Sequence, residues 1–335
     1  MVDVKLTFPD SFFKEEVRSG YKVSSLMKQV WAVELDLLAE AMRVMDKHSI
    51  KYYAIGGTLL GAARHGGFIP WDDDIDIAIP RKDYERFREL ARKEFSHPYF
   101  FQDEFNSPGL LCGHAKLRNS ETTMIFPGQL KKESGDLTFN LGIFIDFFPL
   151  DNLPDDLEAN NRWREKLKRV GKNAWHLRFF SQRRIAVEVM RENRMKLTLK
   201  KHLLSLLGNP DLLFKKYNRL LAKYADVPTT KSCLYCLFCK DKSGKNRWVW
   251  NREWFDTKEQ NILPFEFLKI SCPSNFDAVL TQTYGNWHEM IQANSEHGCV
   301  SETFYDVDRP YDSYFNKDGI LDRSLVRLAM GKNRD

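Results

Sequence analysis

The sequence predicts a mixed α/β (α+β) fold: a mixed sheet carrying carboxylates, flanked by helices, with an added helical region. Three observations predict it. Short β-leaning runs alternate with helix-period segments along the first 150 residues. An acidic cluster, Asp72-Asp73-Asp74-Ile75-Asp76, opens a period-two run. A lone Asp146 sits inside an apolar strand-like run, Gly142 to Leu150.

The elements follow in order. Ser24 to His48 reads as an amphipathic core-packing helix, with Leu26, Val30, Val33, Leu37, Ala41 and Val44 at helical spacing. Lys51 to Ile55 leans to strand. Gly56 and Gly57 break it, because glycine lets the backbone approach a ligand closely and takes positive φ cheaply. Thr58 to Arg64 then predicts a helix, and a helix N-terminus after a glycine turn favours bound phosphate. In Asp74 to Ile79 the period of two puts Asp74 and Asp76 on one face and the isoleucines on the other. Pro80 ends that strand and suits the start of a helix from about Arg81 to Phe95.

His114-Ala115-Lys116-Leu117-Arg118 reads as a strand with His114, Lys116 and Arg118 on one face. Such a face could clamp a diphosphate or a departing nucleotide, or be the polar outer face of an edge strand. A carboxylate buried as Asp146 would be is costly unless paired or metal-bound. If its strand lies beside the one carrying Asp74 and Asp76, three carboxylates converge, the ligand set a two-metal phosphoryl-transfer site would use. For the acidic cluster alone the plain alternative is a solvated acidic turn.

Beyond Leu153-Pro154-Asp155-Asp156 the composition changes. Residues 162 to 201 hold 14 Lys and Arg against 3 Glu, a local charge of +11 in a chain of net charge +5. The segment reads as helices, with Trp163, Leu167, Val170, Ala174 and Leu177 on one stripe. It is either a solvated helix face or a surface for an anionic membrane or lipid-linked glycan. No nucleic-acid module is recognisable, so nucleic acid is not an expected partner. Cys233, Cys236 and Cys239 read as buried small side chains, with a zinc site completed by Cys272 as the sharper alternative. Six cysteines in 335 residues, no apolar run of membrane-spanning length and no signal peptide lead to an expected cytoplasmic location. The expected organisation is a catalytic core over 1–152, a basic helical insertion over 153–248, and a C-terminal part over 249–335 that completes the substrate site.

The run Gly56-Gly57-Thr58-Leu59-Leu60-Gly61-Ala62-Ala63-Arg64-His65-Gly66-Gly67-Phe68-Ile69-Pro70-Trp71-Asp72-Asp73-Asp74-Ile75-Asp76 resembles the LicD family of phosphocholine transferases, which includes relatives of the fukutin proteins. Pro80 to Phe87, Gly142 to Leu150, Leu263 to Glu266 and Tyr284 to Trp287 extend the resemblance. It implies a nucleotidyltransferase-like sheet core. It implies that Gly56, Gly57 and Thr58 cradle phosphate, with Arg64, Trp71 and Asp72 as further contacts. Asp74, Asp76 and Asp146 would be the catalytic carboxylates and would bind Mg²⁺ or Mn²⁺. The implied donor is a CDP-alcohol, CDP-choline first, and the acceptor a hydroxyl of a cell-surface glycan such as lipopolysaccharide, teichoic acid or capsule. The family's proline-rich stretch before a His is missing here: Met290 to Glu296 has no proline, although His297 remains. The same carboxylates would also serve a nucleotidyltransferase acting on an NTP, and the fold could be a non-catalytic binding scaffold.

Overall fold

A computed structural model describes residues 4–107, 110, 112–131, 135–181, 210–234, 246–255, 261–292 and 302–332. In chain order the main elements are β1 (Glu16–Arg18), β2 (Tyr21–Val23), α1 (Ser25–Lys47), β3 (Tyr53–Ala54), α2 (Gly56–His65), β4 (Asp76–Pro80), α3 (Arg81–Glu94), β5 (Tyr99–Gln102), β6 (Ala115–Asn119), β7 (Thr123–Ile125) and β8 (Phe144–Leu153). They continue with α4 (Leu157–Ser181), α5 (Pro210–Leu221), β9 (Lys231–Cys233), β10 (Val249–Asn251), β11 (Asn261–Phe265), β12 (Leu268–Cys272), α6 (Phe276–Tyr284), β13 (Phe304–Asp306) and α7 (Arg323–Lys332).

The central sheet is mixed and runs β10-β9-β8-β4-β3, with β6 on β8 and β5 on β6. Its organiser is β8, whose ten residues serve three partners. The first half pairs in parallel with β4 and antiparallel with β6, and the last three residues pair with β9. A strand flanked on both sides must be apolar on both faces. That is why Phe144, Ile145 and Phe147 surround Asp146.

The helix α1 lies against this sheet. Ser24 caps it, its side chain accepting from the Met27 N–H at 3.1 Å. Val30, Val33, Leu37, Ala41 and Val44 are buried, as the helical spacing predicts, whereas Leu26 in the first turn is exposed; Trp31 and Leu38 are buried as well. So are Lys28, Glu34, Asp36 and Glu40, because both sides of this helix are covered.

The bounds shift in two informative places. The second helix begins at Gly56, before the expected Thr58, and the strand begins at Asp76, after the expected Asp74. Asp72 to Asp74 therefore belong to the turn ahead of β4. The Asp72 N–H closes a turn on the Ile69 carbonyl at 2.9 Å, and the Asp72 carbonyl is taken by the indole N–H of Trp31, 41 residues earlier, at 3.0 Å. Those groups are unavailable to a strand ladder.

A second, smaller core joins Leu153, Trp163, Leu167, Val170, Phe214, Tyr217, Leu221 and Cys233. Side chains at 174 and 177 and residues 182–209 lie outside the described residues, as do Cys236, Cys239 and His297. Cys233 and Cys272 are buried. Among the described residues no helix is long and apolar enough to cross a membrane.

Candidate active site

The register of the sheet builds the site. Asp146 lies opposite Asp76 on β4 and opposite Lys116 on β6. An acid, an acid and a base therefore stand in one row across three strands. Lys116 Nζ meets Asp146 Oδ1 at 2.6 Å, and His114 Nε2 approaches the same oxygen at 3.2 Å. Burial alone would raise the pKa of Asp146, but Lys116 and His114 outweigh it and hold the carboxyl well below the ordinary range. Asp146 is an anion here, with its charge answered from the β6 side.

The glycine pair explains how the remaining acids crowd together. A Cβ on Gly56 would lie 2.8 Å from Asp76 Oδ2, and one on Gly57 would lie 2.3 Å from Asp72 Oδ2. Gly56 also has φ +57°. These glycines make room for the protein's own carboxylates at the start of α2, a duty beyond the expected approach to phosphate. The positive end of the α2 dipole suits those anions. Thr58 is buried, and its Oγ1 accepts from the Asp76 N–H at 2.8 Å. The hydroxyl oxygen helps place Asp76 and keeps its own proton to donate.

Ligand oxygens of Asp72, Asp73 and Asp74 all lie within 4.8 Å of one another. Burial, then Asp74 and Asp146, drives the pKa of Asp76 well above the ordinary range. Burial, Asp74 and Asp73 do the same for Asp72. Three carboxylates per small volume, all oxygen donors, fit a hard divalent cation such as Mg²⁺ or Mn²⁺.

Other expected contacts have structural partners of their own. Arg64 Nη1 donates to the Trp287 and Glu289 carbonyls at 3.3 and 3.2 Å, tying α2 to the chain after α6. Trp71 is half-buried, edge-on to Tyr21 at 5.8 Å. The expected three-membered basic clamp divides. His114 and Lys116 face Asp146, whereas Arg118 is 2 % exposed, donates to Gln102 Oε1 at 2.5 Å and to the Gly142 carbonyl at 2.6 Å, and lies over the Phe144 ring. Burial pulls its pKa down to about 10. Arg118 is placed to brace β6 against the chain entering β8.

Three residues beside the cluster were not anticipated. Tyr305 on β13 donates to Asp73 Oδ2 at 2.6 Å. Trp31 holds the Asp72 carbonyl and stacks on Phe68 at 4.6 Å. Glu34 is fully buried, and burial followed by Asp73, Asp74, Asp72 and Asp76 raises its pKa far above normal. Its signal was a carboxylate on the apolar side of a helix, three residues from Trp31 and from Leu37.

This arrangement can now be compared with known proteins. The family model described as LicD/FKTN/FKRP, nucleotidyltransferase domain, matches residues 49–127, the stretch from β3 through β7 that holds the glycine pair, the aspartate turn and Lys116. The chain carries a LicD-family domain. The lipopolysaccharide cholinephosphotransferase LicD of Haemophilus influenzae is 27% identical over 265 residues, which span 79% of this chain and 92% of that protein. Ribitol 5-phosphate transferase FKRP of Homo sapiens is 43% identical over 51 residues, 15% of this chain and 10% of that protein. An uncharacterized protein of Rickettsia prowazekii is 40% identical over 85 residues, 25% of this chain and 29% of that one. Asp146 lies beyond the matched LicD-family span, and the sheet register is what brings it to the domain's aspartates.

The acid cluster has a consequence for pH. Glu34, Asp72 and Asp76 have folded-state pKa values above their unfolded values. Their contribution to stability is full below the unfolded range of about 4 and is lost as pH rises through the folded values. In a chelator, the melting temperature is expected to rise as pH falls from about 8 to about 6. A saturating divalent cation is expected to flatten that slope. A chelated protein that loses stability over this window on acidification would contradict the sign.

Proposed function

We propose that this chain is a divalent-cation-dependent phosphotransferase. It moves a phospho-alcohol, phosphocholine first, from a CDP-alcohol to a hydroxyl of a cell-surface glycan and releases CMP. The observation that carries the reading is the register pair Asp76 and Asp146 beside the Asp72–Asp74 turn in a LicD-family domain.

Bound between the carboxylates, the cation would offset charge on the transferred phosphoryl group and on the leaving CMP. Asp74, Asp76 and Asp146 would hold it. The acceptor oxygen forms a bond to the alcohol-bearing phosphorus as the bond from that phosphorus to the bridging oxygen breaks. CMP leaves with the electron pair, and a carboxylate of the cluster takes the hydroxyl proton. Lys116, already charged against Asp146, supplies the positive charge that faces the donor's diphosphate. Arg64 and Trp71, both half-buried, would meet the donor's remaining groups. The basic segment 162–201 suits an anionic, lipid-linked acceptor and peripheral contact with the membrane carrying it.

A thermal-shift panel tests the reading before the acceptor is known. CDP-choline, CDP-ethanolamine, CDP-ribitol, CDP-glycerol, CTP and ATP are compared with and without Mg²⁺. One CDP-alcohol is expected to raise the melting temperature in a metal-dependent way and to yield CMP on turnover. A shift with CTP or ATP alone, with pyrophosphate as product, would assign nucleotidyl transfer instead. A flat panel would sink the CDP-alcohol donor.

A further inference from the structure

The start of α1, the strand β13 and the helix α7 enclose a cavity of about 600 Å³ that the chemistry above does not use. Its size falls among small-molecule sites, about 300–1,000 Å³. Leu26, Leu325 and Leu328 line it from the two helices, and Asp306, Asp308 and Arg309 line it from β13 and the chain that follows. All three leucines are exposed, an apolar surface that the fold leaves uncovered.

The polar side of the cavity is held in shape. Asp306 Oδ2 accepts from the Tyr314 hydroxyl at 2.5 Å, and its Oδ1 accepts from the Asp308 N–H at 3.0 Å. The Arg309 carbonyl accepts from Thr123 Oγ1 at 3.0 Å, which pins this turn to β7, the strand that β13 itself pairs with. The residues Asp308 and Arg309 are exposed above that frame. The cavity also adjoins the aspartate turn. Tyr305 lines it, and the Tyr305 hydroxyl donates to Asp73 Oδ2 at 2.6 Å. One side chain therefore belongs both to the cavity and to the carboxylate cluster.

The lining selects a ligand class. A diphosphate would meet two acids against one base, so the nucleotide end of the donor does not suit it. A bare hydrocarbon chain would strip water from the acids and the guanidinium and return no hydrogen bond. A sugar offers both surfaces at once. Its C–H faces match the leucines, and its hydroxyls donate to a carboxylate and accept from a guanidinium.

We propose that this cavity holds the acceptor sugars next to the attacked hydroxyl. Asp308 and Arg309 hydrogen-bond their hydroxyls, and Leu26, Leu325 and Leu328 cover their C–H faces. The segment held there is uncharged, whatever charge the rest of the acceptor carries. The inference deepens the phosphotransferase reading and rests on it for the ligand's identity as acceptor.

Ser313 lines the cavity and is exposed, so Ser313→Trp fills the space without entering the core. The unsubstituted full chain and this variant, both with Mn²⁺, are compared on an array of bacterial surface glycans and by their melting-temperature shifts with the CDP-alcohols. The unsubstituted chain is expected to bind an uncharged glycan, and Ser313→Trp to bind it about tenfold more weakly or worse, with the CDP-alcohol shift equal in both. With that glycan as acceptor, the variant is expected to raise KM about tenfold or more and to leave kcat nearly unchanged, the mark of lost uniform binding. Leu328→Trp, at a position 61% exposed on α7, is expected to act alike and takes its place should Ser313→Trp not fold. Equal glycan binding by variant and unsubstituted chain, or none by the unsubstituted chain, overturns the acceptor site. A CDP-alcohol shift that persists in that case leaves the functional reading standing, and its absence sinks both. A folded variant that loses the CDP-alcohol shift would give the cavity to the donor's alcohol and overturn the acceptor assignment.

Discussion

Replacing Asp76 with asparagine is expected to lower phospho-alcohol transfer by ~10³-fold or more, equivalent to about 4 kcal/mol of transition-state stabilisation. The same variant is expected to be more stable than the unsubstituted protein when no metal is present. Both effects come from one geometry. Asp76 is directly opposite Asp146, its backbone is held by Thr58, and Asp74 and Asp72 add to the repulsion. Asparagine keeps the shape and the backbone contact but removes an anion, so the crowd relaxes while the cation loses a ligand. Rates under saturating Mg²⁺ and melts in chelator measure the two sides. A residual rate within tenfold of the unsubstituted enzyme would remove Asp76 from the reacting centre. A lower melting temperature in chelator would show that the fold needs the carboxylate for another reason.

The second large effect concerns stability. Arg81→Met is expected to cost about 3–5 kcal/mol, the usual consequence of stranding one partner of a buried ion pair. Arg81 follows Pro80 at the start of α3 and is 3% exposed, and Asp151 on β8 is 0% exposed. Nε and Nη2 meet the two oxygens of Asp151 at 2.6 and 2.8 Å, a bidentate fork. Nη1 reaches Glu85 at 3.1 Å, and the guanidinium lies over Tyr84. The Arg81→Met, Asp151→Leu double variant is expected to recover much of the loss, because no charge is then stranded. Urea midpoints of the two variants and the unsubstituted chain decide it. If the double variant is as unstable as the single one, the pair's value lies in packing that leucine cannot replace.

How much of this was legible in the sequence depends on the range of each interaction. The α1 helix and its Ser24 cap follow from spacing and a local hydrogen bond, and both are where the pattern puts them. The strand around Asp146 was readable because a single acid among Phe144, Ile145 and Phe147 has no local explanation. The mixed α/β core and the LicD-type domain are present as expected. Asp74 was expected on the strand, yet it lies in the turn, because a period of two cannot reveal that Trp31 captures the Asp72 carbonyl. Glu34 left only a faint trace, an acid on the apolar side of its helix, and only the tertiary fold shows that it is fully buried there. The Tyr305 contact with Asp73 spans 232 residues and leaves no local trace. Arg118 shares its strand face with Lys116, but only the tertiary fold shows that its guanidinium is spent on Gln102 and the Gly142 carbonyl.

The parallel pairing of β4 with β8 carries an implication for how the protein is made. β4 finds its antiparallel partner β3 nearby in the chain, but its other neighbour arrives only after α3, β5, β6 and β7 have been laid down. Arg81 and Asp151, which seal the same junction, are 70 residues apart. Closing so long a loop is slow and comes before any compensating contact. A nascent chain that has just emerged through β7 holds the glycine pair, the three aspartates of the turn, Asp76 and Lys116, but not the carboxylate that Lys116 neutralises. Such an intermediate presents a repelling acidic knot facing an unanswered ammonium. Asp146, the third of the proposed ligands, reaches the other two only once β8 has paired with β4.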